Sequence, residues 1–139
     1  MDNKAMLVRD LMTRDVATLD RNDKLSVADD VMRLGRIRHL PIVDEDGALA
    51  GIVSQRDLFH SGLLRALGFG QHAKQQALDL LVLKEAMKTD VLTVTPDAPL
   101  IAAAKMMLER KIGCLVVVEA KTVVGILTES DFVKLIAQA

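Results

Sequence analysis

The sequence predicts a mixed helix-and-strand fold made from two copies of one β-α-β-β-α unit. Three observations lead there. The chain matches itself at a nearly fixed offset, each copy carries strand and helix patterns in the same order, and the composition is that of a globular domain.

The self-match comes first. Met12 corresponds to Met87, Asp15 to Asp90, Val16 to Val91 and Thr18 to Thr93, an offset of 75 positions. The same offset pairs Leu25 with Leu100, Ala28 with Ala103, Met32 with Met107, Ile37 with Ile112 and Leu40 with Leu115. It then falls to 74, pairing Gly51 with Gly125, Ile52 with Ile126 and Asp57 with Asp131. The slip places a tighter hairpin in the second copy, a change that a duplicated fold tolerates in a turn.

Each copy opens on an extended stretch, Val16–Leu19 and then Val91–Val94. A helix follows. In the first copy Ser26 and Asp29 read as a capping box, Val27, Val31 and Leu34 as its apolar face, and Gly35 as its stop. In the second, Pro99 fits the first helical turn and Leu100, Ala103, Ala104, Met107 and Leu108 form the stripe. Two strands come next. Leu40–Val43 and Ala48–Val53 flank the turn residues Asp44-Glu45-Asp46-Gly47; Leu115–Val118 and Val123–Leu127 are their counterparts. A second helix starts near Asp57 and again near Asp131.

The expected organisation is residues 8–65 as the first repeat, 66–82 as a helical connector and 83–138 as the second repeat. The stretch from Leu58 to Leu83 reads as helical and broken at Gly68-Phe69-Gly70, with Leu63, Leu64, Leu67, Leu78, Leu80 and Leu81 as added core or packing surface. Three short strands and two helices make a small core, so the copies are expected to pack on each other.

Half of the residues are hydrophobic and 27% are charged, enough apolar surface for one domain of 139 residues. A net charge of −1 carries no nucleic-acid footprint, and 2% aromatic residues offer no stacking surface for bases. The single cysteine, Cys114, lies in an apolar run and reads as a plain packed thiol, with no disulfide framework or cysteine zinc site available. His39, His60 and His72 lack metal-ligand spacing, and there is no glycine-rich phosphate loop or nucleophile elbow. The seven methionines fall mostly on apolar faces. No apolar run is long enough for a signal or membrane segment near the start, so the expectation is a cytoplasmic protein that is not an enzyme and binds neither membrane nor nucleic acid.

Two segments occur twice: Gly51-Ile52-Val53-Ser54-Gln55-Arg56-Asp57 and Gly125-Ile126-Leu127-Thr128-Glu129-Ser130-Asp131. Each is a strand ending in a hydroxyl residue, with a carboxylate three residues on at a helix start. That spacing makes a helix capping box. It also suits a ribonucleotide, because free N–H groups at a helix start favour a phosphate and a carboxylate accepts both hydrogens of a vicinal diol. The residues leave both readings open.

The doubled segment, together with Arg38-His39-Leu40-Pro41-Ile42-Val43-Asp44 and the opening Val8-Arg9-Asp10-Leu11-Met12-Thr13, resembles the CBS-domain pair, here as a stand-alone two-repeat protein. The resemblance spans Val8 to Gln138. It implies an α+β fold, two β-α-β-β-α repeats packed about a pseudo-twofold axis, and clefts between the repeats that bind AMP, ADP, ATP or S-adenosylmethionine. It assigns the ribose to Asp57 and Asp131, and the phosphate or ribose to Ser54 and Thr128. The base falls to Thr13, Ala17, Ile37 and Arg38, and to Lys88, Leu92, Ile112 and Gly113. Arg38 and His39 stand where a phosphate could meet them, whereas the second copy has Gly113 and Cys114 there, so unequal use of the clefts is expected.

The expected function is therefore a regulatory module that senses an adenosine nucleotide, carries no cofactor and signals to a partner protein. The alternative is an interaction and dimerisation module with no physiological nucleotide. A homodimer is expected, because Leu58, Phe59, Phe132 and Ile136 exceed what one small core needs.

Overall fold

The opening residues from Met6 to Arg9 pair with the second copy, not with their own. In a computed structural model, which describes residues 5–58 and 78–138, Val8 N–H donates to the Ala98 carbonyl (2.9 Å), Arg9 N–H to Pro96 (2.8 Å) and Leu100 N–H to Met6 (2.9 Å). The first copy mirrors each bond. Leu83 N–H donates to Asp23 (2.8 Å), Lys84 N–H to Arg21 (2.9 Å) and Leu25 N–H to Leu81 (2.9 Å). The chain accordingly divides into two compact units that have exchanged their openings. One joins the residues up to Val16 with those from Val91 onward, and the other runs from Ala17 to Asp90.

In the Ala17–Asp90 unit, β1 (Leu19–Asp20) runs parallel to β2 (His39–Val43), and β2 pairs antiparallel with β3 (Leu49–Ser54). The helix Leu25–Gly35 connects β1 to β2, a second helix starts at residue 55 directly after β3, and Leu83–Glu85 forms a short 3-10 turn. Leu25, Ala28, Met32, Leu40, Ile42, Val53, Leu58, Leu78 and Leu83 make the core.

The other unit repeats this plan. β4 (Thr93–Val94) runs parallel to β5 (Cys114–Glu119), which pairs antiparallel with β6 (Thr122–Thr128). The helices are Val8–Leu11, Leu100–Arg110 and Glu129–Ala137. Val8, Met12, Val94, Leu100, Ala103, Met107, Leu115, Val117 and Leu127 form its core. Each sheet has three strands, as the α+β reading requires.

Several local expectations are corrected. The Ser26–Asp29 capping box does not form, because the helix already begins at Leu25 after Lys24. Ser26 is therefore the second helical residue and not the cap, and the first helical N–H, that of Leu25, is taken by the Leu81 carbonyl. Pro99 sits at the cap position and not in the first turn. Gly35 is the last helical residue; the left-handed stop is Arg36, with φ 55°, matched by Lys111, also at φ 55°. The buried face of the first helix is Leu25, Ala28 and Met32, while Leu34 is 82% exposed and Val27 40% exposed; in the second copy Leu108 is likewise exposed. The opening strands are also shorter than the extended stretches.

The hairpins differ as the offset requires. The first turns through Asp44–Gly47, with Gly47 at φ 81° and the Asp44 carboxylate accepting from Asp46 and Ala48 N–H. The second turns on Ala120 and Lys121, both at positive φ, the geometry of a two-residue hairpin. Phe59, His60, His72 and the Leu63, Leu64, Leu67 and Gly68-Phe69-Gly70 part of the connector lie outside the described residues.

Candidate functional site

The doubled motif builds the same local geometry in both units. β6 ends at Thr128 and the helix Glu129–Ala137 starts at once, so Asp131 falls in its first turn. The Asp131 carboxylate accepts from Thr128 N–H through Oδ2 (2.9 Å), one limb of a capping box that the Thr128 side chain completes. In the other unit Ser54 N–H donates to Asp57 Oδ2 (2.9 Å), and Asp57 N–H donates to Ser54 Oγ (3.0 Å). The capping reading therefore holds in both copies.

The second oxygen of each carboxylate turns elsewhere. Asp131 Oδ1 accepts from the Thr13 hydroxyl at 3.0 Å, and Asp57 Oδ1 lies 3.7 Å from Lys88 Nζ. Thr13 and Lys88 occupy matched positions in the two openings. The exchange of openings thus delivers a residue of one copy to the carboxylate of the other.

The motif glycines explain how the openings come so close. Thr13 and Ile126 exchange backbone hydrogen bonds (2.9 and 3.0 Å), as do Lys88 and Ile52 (both 2.9 Å). A Cβ on Gly125 would stand 2.7 Å from Met12 Sδ and 3.0 Å from the Thr13 carbonyl oxygen; one on Gly51 would stand 2.7 Å from Met87 Sδ and 2.8 Å from the Lys88 carbonyl oxygen. Close approach, and not backbone conformation, demands glycine here.

Arg38 is exposed and its carbonyl accepts from Gln55 N–H (2.8 Å); His39 pairs with Ser54 across β2 and β3. Gly113 and Cys114 are placed alike, with Glu129 N–H on the Gly113 carbonyl (3.2 Å) and Cys114 opposite Thr128. Ile37 and Ile112 follow the left-handed caps, partly buried against their unit's core. Leu92 is also partly buried, and Ala17 is exposed ahead of β1.

Among the described residues Asp131 is the one buried charged side chain, 4% exposed. The Asp57 side chain retains 16% exposure. Burial, and then the Asp131 carboxylate, push the Cys114 thiol up to about 12, so it remains protonated at neutral pH and is a poor nucleophile. Sequence reasoning passed over Glu129, whose carboxylate oxygen lies 3.4 Å from where a Gly113 Cβ would stand. The signal was its match to the uncharged Gln55. Among the described residues no group of three or more His, Cys, Asp or Glu side chains could hold a metal ion.

The model of the CBS domain matches residues 8–63 and again 83–138. This chain belongs to the CBS-domain family. Its two CBS repeats account for the doubled motif and for both sheets. A solved structure of a Vibrio cholerae protein assigned to acetoin utilization is 42% identical, covers 96% of this chain and 91% of its own, and superposes with a TM-score of 0.81. A CBS domain pair in complex with 5′-methylthioadenosine and S-adenosyl-L-methionine is 30% identical, with coverages of 96% and 97% and a TM-score of 0.76. CBSX2 in complex with AMP is 26% identical, with coverages of 96% and 98% and a TM-score of 0.79. A homoserine O-acetyltransferase of Methanococcoides burtonii is 37% identical over 130 residues; the chain spans about a quarter of that relative's length, 24%, with 93% of its own.

Proposed function

We propose that this CBS pair is a regulatory module that binds an adenosine compound of the AMP, ADP, ATP or S-adenosylmethionine kind at Asp57 and Asp131 and reports its occupancy to a partner protein. One observation carries the reading. In each unit a carboxylate in the first turn of a helix has one oxygen fixed by the helix cap and the other turned to a residue from the exchanged opening. Such a carboxylate can hold a ribose diol while the helix start receives a phosphate. Relatives of the same fold that bind AMP and S-adenosyl-L-methionine support it.

In this reading Ser54 and Thr128 stand at the phosphate or ribose, and Thr13, Ala17, Ile37, Arg38, Leu92, Ile112 and Gly113 flank the base. His39 adds a donor near Ser54. The module is not catalytic, needs no cofactor, and works in the cytoplasm; no helix among the described residues is long and apolar enough to cross a membrane.

The module acts as a homodimer. Of the apolar positions expected to drive it, Leu58 is buried in the core of the Ala17–Asp90 unit, Phe132 packs on the core of the other unit, and Phe59 lies outside the described residues. Ile136 is 69% exposed and is joined on the same helix by Val133 at 66%. A second copy covers them. Light scattering at micromolar concentration should return twice the mass of 15.2 kDa; a single-chain mass contradicts the dimer.

A thermal-shift screen of adenine and guanine nucleotides tests the ligand. A compound that binds only the folded chain, at one hundred times its Kd, adds about 2.7 kcal/mol of stability. Adenine compounds should raise the Tm first. A flat response to all of them favours an interaction and dimerisation module without a nucleotide.

A further inference from the structure

We infer that the two carboxylate sites divide adenosine compounds by charge: the Asp57 site takes one with an anionic 5′ group, and the Asp131 site one whose 5′ group is uncharged or cationic. The inference rests on the adenosine reading above and adds what distinguishes the two sites.

The helix start offers the same N–H groups in both units, so it cannot discriminate. The matched side chains around it can. Lys88 is replaced by Thr13, Arg38 by Gly113, Arg56 by Ser130 and Gln55 by Glu129. All four changes move the charge in one direction. The Asp57 site carries Lys88, Arg38 and Arg56 against a single carboxylate in this set. The Asp131 site carries two carboxylates, Asp131 and Glu129, and no cation at the matched places.

The geometry puts those charges to use. Lys88 Nζ lies 3.7 Å from Asp57 Oδ1 with its side chain 71% exposed, free to move its ammonium to a 5′ phosphate beside the same carboxylate. In the other unit the Glu129 carboxylate stands against Gly113, the place that carries Arg38 in the first copy. A phosphate entering there meets two like charges, whereas a thioether meets no penalty and a sulfonium is attracted. Arg14, which follows Thr13, donates its guanidinium to the Arg9 carbonyl at 3.3 Å.

AMP and 5′-methylthioadenosine test the division, because they share a nucleoside and differ in 5′ charge. Calorimetry on the full chain should find AMP binding with a stoichiometry near one, and saturating AMP should leave 5′-methylthioadenosine binding in place. Lys88→Thr, which copies Thr13, should weaken AMP about tenfold to a hundredfold and leave 5′-methylthioadenosine within about threefold. Lys88→Arg should restore AMP. Glu129→Gln should bring AMP toward a second equivalent. One-for-one displacement of 5′-methylthioadenosine by AMP, or equal losses of both compounds in Lys88→Thr, overturns the division and leaves the adenosine reading standing. A chain that binds neither compound overturns the adenosine reading, and the division with it.

Discussion

Thr13 donates its hydroxyl hydrogen to Asp131 Oδ1 at 3.0 Å, across 118 positions of sequence. The bond joins the opening of the first CBS repeat to the helix start of the second. Asp131 is buried, and this donor together with Thr128 N–H holds its two oxygens. Thr13→Val should therefore cost about 1–2 kcal/mol in urea unfolding, as for a lost hydrogen bond to a buried carboxylate. Lys88→Met, which removes an exposed partner at 3.7 Å, should change stability by less than about 0.5 kcal/mol. Equal costs for the two variants would contradict the assigned geometry.

Gly125→Ala and Gly51→Ala should each destabilise by about 1–3 kcal/mol. The new methyl meets backbone carbonyl oxygen as well as a methionine sulfur, and only the sulfur can move cheaply. Denaturant midpoints check this. Substitution of Gly47 by Asn should be much milder, since its Cβ would meet nothing within 4 Å and asparagine tolerates positive φ.

Lys121→Gly should stabilise the chain by about 0.5–1 kcal/mol. Ala120 and Lys121 both hold positive φ, where a side chain is strained, and the relief exceeds the added freedom of glycine in the unfolded chain. A Tm that falls would contradict the assigned turn.

Cys114 links pH to stability. Its thiol is pushed from 9.0 to about 12 by burial first and by Asp131 second. Between those values the folded chain keeps a proton that the unfolded chain has lost. The contribution is complete below pH 9 and is lost as pH rises towards 12. Alkylation of the native chain at pH 8 should be far slower than in denaturant, and Cys114→Ala should flatten the fall in stability above pH 9 relative to the parent. Equal alkylation rates in native and denatured chains would contradict the burial.

The repeat was legible because apolar positions with a structural task recur at the same offset. Leu25, Ala28 and Met32 match Leu100, Ala103 and Met107, and all six are buried. The misread face had the same clue available. Leu34 matches Glu109, so that position is not held apolar in both copies, Val27 shrinks to Ala102, and Gly35 matches Arg110. Periodicity within a single helix could not separate two faces that both carry apolar residues, Leu25, Ala28 and Met32 on one and Val27, Val31 and Leu34 on the other.

The exchange of openings was harder to read. It depends on hydrogen bonds between segments far apart in sequence, such as Leu25 N–H to the Leu81 carbonyl, and backbone bonds leave no residue signature. That same bond fixes the helix start at Leu25, one residue ahead of the expected Ser26 cap. The motif glycines were visible, but their reason was not: a close approach by Met12 or Met87 is a tertiary fact. The placing of Asp57, Ser54, Asp131 and Thr128 at the helix starts was legible because a capping box needs those residue types at that spacing.

The most direct test of the account is calorimetric titration of the full chain with AMP, beside the double variant Asp57→Asn, Asp131→Asn. Asparagine keeps the size and much of the helix-start chemistry but loses the charge that strengthens bonds to a ribose diol, so binding should weaken about tenfold to a hundredfold while the fold survives. A parent chain that takes up neither AMP nor 5′-methylthioadenosine, or a folded double variant that binds AMP like the parent, would contradict the claim that these carboxylates hold an adenosine compound.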